Sequence, residues 1–432
     1  MLKIGICGYG TVGQSFIEHL RVHSDKIKSN ISEEYEISLI ADRSIDKKEH
    51  DKDIAVTKDA MEMALNPAID IIIELMGGID IPYKLITSAI KNKKHVVTAN
   101  KALIAEHGDE IFQLAEKYNV YFGFEASVAG AIPIIQTLTN NMSNENITSV
   151  TGIINGTCNY ILDQMSSNSL EFSDALNEAK KLGYAEADPT FDINGMDAAH
   201  KISILASLIY KVKSPLKNTY IEGIENITTM DIEFSRELGY SIKHVGITSK
   251  VNNLIQCRVH PVLVHKDNIL SQVLGVMNAL LVTGDKFGTS MLYGNGAGGD
   301  ATASAVVANL VEAINFSCNR DMRNKSIFKN SGSHSYDVMK NDDIMSPFYL
   351  RIYALDISGV MAEITNILAK EDISIEAVTQ HEPTDSDSPI PIVMITNNVS
   401  GSSINKSINK IELLAHVEGK VHAIRVLKTD DK

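Results

Sequence analysis

Short, wholly apolar runs alternate with helically spaced apolar positions through the first part of the chain. The runs are LKIGIC at 2–7, EISLIAD ending at Asp42, AIDIIIELMG around 68–77, HVVTAN at 95–100 and, after these, VYFGFEA. Continuous apolar character is typical of strands buried on both faces, as in a parallel sheet. Strands that alternate with helices predict a doubly wound Rossmann sheet in an α/β domain over residues 1–127.

The pattern changes at residue 128. Long stretches with helical spacing, such as MDAAHKISILASLIY, are mixed with strand-like runs such as SVTGIING and LIQCRVHPVLV. This mixture predicts an α+β substrate domain over 128–318. Residues 319–345 are polar and broken by Gly, Ser and Asn, which indicates a linker.

The last part of the chain, 346–432, repeats neither pattern. It contains FYLRIYALD, then the amphipathic SGVMAEITNILAKED, then ISIEAVTQ and IPIVMITN, then SINKSINKIELLAH, and finally VHAIRV. Read as strand, helix, two strands, helix and strand, this order is βαββαβ. It predicts a small ferredoxin-like unit.

Composition and charge exclude several classes of function. The chain has 432 residues, 44% of them hydrophobic, and a formal net charge of −14. No long run of Lys or Arg is present, so nucleic-acid binding is disfavoured. The four cysteines are scattered without metal-ligand spacing, which favours a reducing compartment. We expect a cytoplasmic protein with no signal peptide, no apolar run near the roughly 18 residues that cross a bilayer, and no membrane partner.

The stretch IGICGYGTVGQSF has the form of a dinucleotide-binding turn. Gly8, Gly10 and Gly13 stand between a predicted strand and a predicted helix, with further strand and helix units behind them. In this context the first glycine makes the tight turn, the second lets the backbone approach a pyrophosphate, and the third lets the helix pack on the strand. Asp42 and Arg43 are adjacent at the end of the second strand, so the choice between NAD and NADP stays open.

Two lysines and several carboxylates are candidates for chemistry. Asn100 and Lys101 follow the fourth strand, at the sheet edge where ligands of open α/β folds bind. Asp197 and Lys201 are four residues apart at the start of a very apolar helix, so they share a face and can form a partly buried ion pair. Carboxylates beside a lysine suit a substrate with an α-ammonium group and a polar reacting carbon. His200, between them, is expected to be a packing or hydrogen-bonding residue.

Taken together, these stretches resemble homoserine dehydrogenases over the full length of the chain. The motifs that carry the resemblance are GYGTVG, ELMGG, VVTANKALIA, FEASVAGAIPII, GIINGTCNYIL, AKKLGYAEADPTFDINGMDAAHKI and GNGAGGDATASAV. The last 85 or so residues are similar to ACT domains, which commonly bind amino acids. The resemblance implies interconversion of L-aspartate 4-semialdehyde and L-homoserine with NAD(P)H, on the route to threonine and methionine, by a homodimer or homotetramer. The part of 128–318 in dimerisation, and the return of 294–318 to the nucleotide domain, are implied only by this family resemblance.

The resemblance also implies roles for individual residues. It makes Lys201 the proton donor to the aldehyde oxygen and Lys101 a second lysine that polarises it beside the nicotinamide. Three carboxylates are implied to bind the substrate: Glu186, Asp192 and Asp197. The implied cofactor positions are Gly8, Gly10, Thr11, Val12, Gly13, Arg43, Lys101, Gly183 and Gly299. A structural Na⁺ is implied at Glu125 with main-chain oxygens of Val128, Gly130 and Ile132, and an effector site at Asp356, Gly359 and Val360.

The ACT-like part departs from the family pattern at two positions. Ser358 stands where the family commonly has proline, and Asn397 stands where histidine is frequent. Feedback inhibition by threonine is therefore a hypothesis, and the module could instead serve only dimerisation.

Two alternative functions are weighed against a homoserine dehydrogenase. One is a non-catalytic amino-acid sensor, which the presence of both Lys101 and Lys201 disfavours. The other is a dehydrogenase for a different amino acid or semialdehyde. An acylating semialdehyde dehydrogenase needs a nucleophilic cysteine, and Cys158 has no histidine near it in sequence.

Overall fold

A computed structural model of the chain describes residues 1–318, 336–381 and 389–428. Residues 319–335, the larger part of the predicted linker, lie outside this description, and the domain boundaries at 127 and 345 stay predictions. The strands are β1 (Leu2–Cys7), β2 (Tyr35–Ala41), β3 (Ala55–Thr57), β4 (Ile71–Glu74), β5 (His95–Thr98), β6 (Phe122–Gly123), β7 (Ile147–Ile153), β8 (Tyr220–Ile221), β9 (Tyr240–Val251), β10 (Leu254–His265), β11 (Met277–Gly284), β12 (Gly288–Asn295), β13 (Asp337–Val338), β14 (Met345–Ser346), β15 (Phe348–Ala354), β16 (Ile375–Gln380), β17 (Ile390–Thr396), β18 (Val399–Ser400) and β19 (Val417–Val426).

The helices differ widely in length. They are α1 (Thr11–Val22), α2 (Ser24–Lys28), α3 (Met61–Leu65), α4 (Asp80–Lys91), α5 (Lys101–Tyr118), α6 (Ile134–Gln136), α7 (Gly156–Asn168), α8 (Phe172–Lys181), α9 (Thr190–Ile193), α10 (Met196–Tyr210), α11 (Thr229–Glu237), α12 (Gly299–Cys318), α13 (Val360–Lys370) and α14 (Gly401–Ile411).

The N-terminal sheet is the predicted doubly wound sheet. Within the described residues it has six strands in the order β3-β2-β1-β4-β5-β6, and every neighbouring pair is parallel. Helices α1 and α12 cover one face and α4 and α5 the other, each through buried aliphatic side chains. The strand β3 is missing from the sequence prediction, because Ala55–Thr57 is too short to show a pattern. The predicted fold class is confirmed.

Helix α12 corrects the expectation that no segment is long and apolar enough to span a membrane. Its 20 residues meet both criteria, with Asp300 and Glu312 as its charged residues. The helix packs against α1, however, and Val306 and Leu310 are fully buried among the side chains of β1 and α1. It is thus a core helix of the Rossmann unit, and its small apolar residues explain the membrane-like composition.

The second sheet joins the middle of the chain to the C-terminal unit. Its strands run in the order β12-β11-β7-β9-β10-β19-β15-β17-β16, in the described residues. The junction is the parallel pair β10 and β19, where Val262 lies opposite Arg425 and Leu263 opposite Val426. Helices α7, α10 and α11 pack on one face of the β9 region of this sheet. The last unit has the predicted βαββαβ order, built from β15, α13, β16, β17, α14 and β19.

A buried carboxylate ties the C-terminal unit to α11. Asp231 is fully buried and closes the capping box at the start of α11 with Thr228. Its Oδ1 also accepts hydrogen bonds from Arg351 Nε at 2.7 Å and from Tyr349 Oη at 3.0 Å, both on β15. His422 Nδ1 of β19 lies 3.2 Å from Oδ2. Burial opposes ionisation of Asp231, but His422 and Arg351 hold its pKa below the usual range.

We predict that Asp231→Asn destabilises the protein strongly. It leaves the buried Arg351 guanidinium without a counter-charge, and breaking one partner of a buried pair costs about 3–5 kcal/mol. The measurement is urea unfolding at pH 7, with Glu237→Gln, which removes the charge from an exposed pair with His381, as the control. Because the pKa of Asp231 is lowered, its contribution is present at neutral pH and is lost as the pH falls towards and below the pKa of an unfolded aspartate. A difference from the control below about 1 kcal/mol would refute the role.

Candidate active site

The three glycines of the first loop are used differently. A Cβ at Gly8 would lie 2.6 Å from the carbonyl oxygen of Leu75, and one at Gly13 would lie 2.4 Å from that of Gly8. A Cβ at Gly10 meets nothing within 4 Å, although Gly10 caps the start of α1. Two glycines are therefore required by packing, whereas the space above Gly10 is open at a helix N-terminus, which fits a phosphate group.

The start of α12 lies beside the start of α1. A Cβ at Gly299 would lie 2.8 Å from Ser15 Oγ and 3.0 Å from Thr11 Cγ2. This contact brings the predicted cofactor residues Thr11, Val12 and Gly299 to one place, although they are far apart in sequence. Two helix N-termini thus face the same region of the glycine loop, which favours a negatively charged ligand.

Asp42, at the end of β2, is already engaged by the protein. Its Oδ2 accepts from the Tyr9 backbone N–H at 2.8 Å and from Lys48 Nζ at 2.7 Å, and its Oδ1 accepts from the Ser44 N–H at 2.8 Å. Burial opposes ionisation, but Lys48 and these N–H groups hold the pKa of Asp42 below its usual range. Asp42 therefore pins the glycine loop, and Lys48 places a cation against it, while the next residue, Arg43, is exposed.

The start of α5, from which Lys101 extends, is held by hydrogen bonds at the ends of β4 and β5. Asn100 caps α5 by accepting from the Leu103 N–H at 3.1 Å, and its Nδ2 donates to the Gly78 carbonyl at 2.6 Å. The Asn100 N–H donates to Thr98 Oγ1, whose hydroxyl in turn donates to the buried carboxylate of Glu74 at 2.6 Å. Because α5 begins at Lys101 itself, the lysine extends from the start of a helix at the carboxyl edge of the sheet, where the sequence placed it.

Asp197 lies between the two predicted catalytic lysines. Its Oδ1 is 3.0 Å from Lys101 Nζ, and its Oδ2 is 2.7 Å from Lys201 Nζ. The side chains of Asp197 and Lys201 are 4% and 10% exposed, whereas that of Lys101 is 38% exposed. Lys201 Nζ also donates to the Ile154 carbonyl at 2.7 Å. The ion pair expected from the spacing of Asp197 and Lys201 is present and is one arm of a larger array.

Asn155, which the sequence analysis does not single out, joins the carboxylates. It caps α7, and its Nδ2 lies 2.8 Å from Asp192 Oδ1 and 2.8 Å from Asp197 Oδ2. Thr157 Oγ1 is 3.3 Å from Asp192 Oδ2. An asparagine before a glycine at the start of an apolar helix is a recognisable capping signal, so Asn155 was predictable as a cap, although not as a bridge between carboxylates.

The charges of the array are set by burial and by mutual contact. Burial opposes ionisation of Asp197, but Lys201 and Lys101 hold its pKa below the usual range. Burial disfavours the ammonium form of Lys101, but the charge of Asp197 raises its pKa overall. Burial and then the nearby Asp197 raise the pKa of Asp192. The array therefore keeps Asp197 as an anion and Lys101 as a cation at neutral pH.

An open cleft of about 940 Å³ contains the array. The predicted site residues on its walls are Val12, Lys101, Gly130, Gly183, Glu186, Asp192, Asp197 and Lys201. The exposed Glu186 takes part in no recorded hydrogen bond or ion pair within the described ranges, so its carboxylate is available to a ligand. Of the wall residues, Gly296 lies in the quoted motif GNGAGGDATASAV, whereas Val276 lies in a segment that the sequence did not single out. Only the fold brings them here.

His200 and Cys158 do not carry chemistry in this arrangement. His200 is buried edge-on against the Phe191 ring, and burial lowers its pKa. Cys158 Sγ donates to the Asp192 carbonyl, and burial raises the pKa of its thiol well above the usual value. A thiol in that state is not a nucleophile, which removes the acylating alternative.

Glu125 is a buried carboxylate beside the cleft. It is 2% exposed, and its two oxygens accept from the backbone N–H groups of Ile135 at 2.8 Å and Gln136 at 2.7 Å. Burial raises its pKa to about 7 although these N–H groups act in the opposite direction. The segment that follows turns through two left-handed residues, Ala129 and Gly130. No Lys, Arg or His ion pair of Glu125 is recorded in the described ranges, so the donor set fits a cation.

The predicted effector residues lie at the start of α13. Gly359 caps this helix with φ +102°, and a Cβ there would meet nothing within 4 Å. Asp356 is exposed, with Gln380 Nε2 at 3.4 Å from Oδ1. Asn397, which stands where the family often has histidine, instead accepts from the Ser374 N–H at 3.1 Å and so joins two neighbouring strands.

Comparisons with known proteins agree along the whole chain. Family models match residues 8–125 as the NAD-binding domain of homoserine dehydrogenase, 133–311 as homoserine dehydrogenase and 348–413 as an ACT domain. The homoserine dehydrogenase of Pseudomonas aeruginosa is 41% identical over 428 residues, 98% of either chain. This chain belongs to the homoserine dehydrogenase family. Members of this family are NAD(P)-binding oxidoreductases of amino-acid biosynthesis, EC 1.1.1.3. The chain is therefore an enzyme, and the alternative of a non-catalytic amino-acid sensor is excluded.

Solved homoserine dehydrogenases have the same architecture. The enzyme of Thiobacillus denitrificans, 39% identical, superposes with a TM-score of 0.93 over 99% of this chain and 98% of its own. A hyperthermophilic archaeal homoserine dehydrogenase in complex with NADPH is 28% identical, with a TM-score of 0.60, and covers 72% of this chain and 97% of its own. The three-part organisation read from the sequence therefore matches a full-length relative.

The contrast between Gly10 and Gly13 leads to a prediction. Gly10→Ala should fold normally but bind NADPH about tenfold more weakly, because the methyl group enters the space left for the phosphates. Gly13→Ala should lower the midpoint of thermal unfolding, because its methyl group would overlap the Gly8 carbonyl. Fluorescence titration with NADPH and thermal unfolding of both variants provide the test. Wild-type affinity in Gly10→Ala would show that the phosphates lie elsewhere.

Proposed function

We propose that Lys201 donates the proton to the aldehyde oxygen of L-aspartate 4-semialdehyde, and accepts it when L-homoserine is oxidised. The observation that carries this proposal is the Lys101–Asp197–Lys201 array in the cleft. An ammonium group has three N–H donors. Two N–H groups of Lys201 are used by Asp197 and the Ile154 carbonyl. The third remains for the substrate oxygen, on which negative charge develops as hydride arrives.

Lys101 supplies the second positive charge at that oxygen. It is the more exposed of the two lysines, and Asp197 holds it at one edge of the same carboxylate. Placing fixed charges where the oxyanion forms is the main way in which such a site lowers the barrier. The nicotinamide cofactor supplies the hydride when bound, and the chain's own residues orient the carbonyl and provide the proton.

The structure supports a change in the role expected for Asp197. Its oxygens already accept from Lys101, Lys201 and Asn155, so little capacity remains for the substrate. We assign Asp197 to positioning the two lysines. Glu186 and Asp192, with Asn155 and Thr157 around the latter, are left to bind the α-ammonium group of the substrate.

The cofactor is held by the glycine loop and the two helix starts around Gly10, Thr11, Val12 and Gly299. Gly183 lines the same cleft. The archaeal relative is described in complex with NADPH, and the exposed Arg43 after the end of β2 would suit a 2′-phosphate. We therefore favour NADPH as a substrate while NAD(H) binding stays open.

A structural Na⁺ is proposed at the Glu125 segment. The carboxylate of Glu125 and the main-chain oxygens of Val128, Gly130 and Ile132 would hold it, as the family resemblance implies. Hard cations prefer such oxygen ligands, and a positive charge would offset the burial that raises the pKa of Glu125. Gly130 packs against the Gly296 backbone of the cleft, where a Cβ would lie within 2.7 Å, so the ion would order that wall.

The ACT domain is proposed to bind threonine as an inhibitor through Asp356, Gly359 and Val360. Open space above Gly359 at the start of α13 supports the approach of a carboxylate to the backbone. Ser358 makes this turn less rigid than the proline usual in the family. We also infer a cytoplasmic homodimer or homotetramer, in line with the free cysteines.

Replacing Lys201 should test the proton-donor role. Lys201→Ala is expected to lower kcat at least about a hundredfold, the usual effect of removing a general acid. Steady-state oxidation of homoserine with NADP and with NAD gives kcat, and NADPH titration checks that the cofactor site is intact. Lys211→Ala, which removes a lysine at the end of the same helix, is the control. Turnover near that of the wild type in Lys201→Ala would contradict the proposal.

The effector hypothesis is best tested with the full chain, because removing residues 346–432 would also remove β19 from the central sheet. In Asp356→Ala the threonine concentration for half-inhibition should rise about tenfold with the uninhibited rate unchanged. Glu363→Ala, an exposed carboxylate on α13 of the same module, is the control. If threonine does not inhibit the wild type at all, the effector is another molecule or the module serves assembly alone.

A further inference from the structure

One wall of the active-site cleft is a loop with no role so far. Residues 273–277 connect a short 3-10 turn, Ile269–Gln272, to β11, and Val276 of this loop lines the cleft. The Val276 carbonyl packs on the start of α7, where a Cβ at Gly156 would lie 2.7 Å from it. Gly156 follows Asn155, so this loop and the substrate-binding carboxylates are positioned by the same helix end.

Two buried polar side chains hold the loop from behind. Asn159 of α7 is fully buried, and its Nδ2 lies 3.1 Å from the Val273 carbonyl and 2.9 Å from that of Gly275. Lys243 of β9 donates from Nζ to the same Val273 carbonyl at 2.6 Å and lies 3.5 Å from Asn159 Oδ1. The loop backbone is thus fixed to a helix and a strand at once.

Lys243 is a buried cation that, like Lys94 and Arg258, has no ion pair within the described residues, but its hydrogen bond goes to the loop of the active-site wall. It is 3% exposed. Asp163 on α7 faces it, and Val262 lies opposite on β10. The 3-10 turn and the 273–277 loop that follows it carry no titratable side chain. Asp163 instead accepts from the Gly275 N–H at 2.8 Å. Burial lowers the pKa of Lys243 to about 8, and the charge of Asp163 opposes this.

A buried cation without a paired carboxylate costs folding free energy. An uncharged side chain of similar length would fill the same space at lower cost. The Val273 carbonyl would still have Asn159 as a donor, although Asn159 Oδ1 would lose its contact with Lys243. A residue that is unfavourable for folding and adjacent to the active-site wall is better explained by its effect on that wall.

We propose that Lys243 is a positioning residue for the dehydrogenase reaction: together with Asn159 it holds the 273–277 loop, and so the Val276 wall, against the α7 end that carries Asn155. It touches no reacting atom. Its loss loosens the wall on the amino-acid side of the cleft, so homoserine binds more weakly while the Lys101–Asp197–Lys201 array is unchanged. This inference rests on the proposed roles of Asp192 and Lys201.

The test is Lys243→Met in the full-length enzyme. The KM for homoserine should rise about tenfold, which corresponds to about 1.4 kcal/mol and to the loss of one charge-assisted hydrogen bond. The kcat and the KM for NADP should stay within about twofold of wild type, because the Lys101–Asp197–Lys201 array is unchanged and the free-energy change is confined to homoserine binding. The midpoint of thermal unfolding should stay close to that of the wild type, because the removal of a buried charge offsets the loss of the hydrogen bonds to Val273 and Asn159. Lys266→Met, on the exposed loop before the same 3-10 turn, is the matched control.

The pH profile separates this role from a general packing effect. In the wild type the KM for homoserine should rise as the pH passes about 8, because Lys243 then loses its proton. The Lys243→Met variant should show a smaller rise, because only the contribution from deprotonation of the substrate α-ammonium group, which both enzymes share, remains. An unchanged KM in the variant, or a parallel fall in kcat and in thermal stability, would overturn the proposal. If Lys201→Ala keeps its turnover, only the proton-donor role is contradicted, because the role of Lys243 is judged from the KM for homoserine in Lys243→Met and its control.

Discussion

The buried carboxylate of Asp197 is the contact on which the active site depends. Two ammonium groups this close together would repel each other and be expelled to solvent if no anion lay between them. Asp197 can stay ionised while buried because Lys201, Lys101 and Asn155 all donate to it. The apolar helix α10 fixes Asp197 and Lys201 four residues apart, and α5 brings Lys101 from the Rossmann unit. The site is therefore assembled across two units and exists only when both are folded.

The start of α7 is a second point at which several constraints meet. Asn155 bridges the carboxylates, Gly156 touches the 273–277 loop, and Asn159 with Lys243 holds that loop. Helix α11, whose first turn contains Asp231, packs on α7 as well. The contacts of Asp231 with Tyr349 and Arg351 therefore connect the C-terminal unit to α7 by way of α11.

Periodicity predicted most of the fold, because buried parallel strands and amphipathic helices have strong patterns. The ACT order, the first strand and helix α10 all lie where the pattern places them. Short elements such as β3 were missed, since three residues carry no period. In the site, the Asp197–Lys201 pair followed from helical spacing. The contact of Asp197 with Lys101 joins residues far apart in sequence, and the resemblance placed both at the site without predicting that contact. Asn155 and Lys243 were missed because an amide or a lysine in an apolar context has no pattern that specifies its partner.

The hydrogen bonding between β10 and β19 has a consequence for how the chain can be shortened. In this protein the central sheet does not end at β10, since Val262 and Leu263 find their partners in the last strand of the chain. A strand that loses its neighbour presents unpaired N–H and C=O groups, which attract other strands and promote aggregation. Evolution or engineering could therefore remove the C-terminal unit only together with a new covering for this edge. The C-terminal unit therefore also covers the edge of β10 in the central sheet.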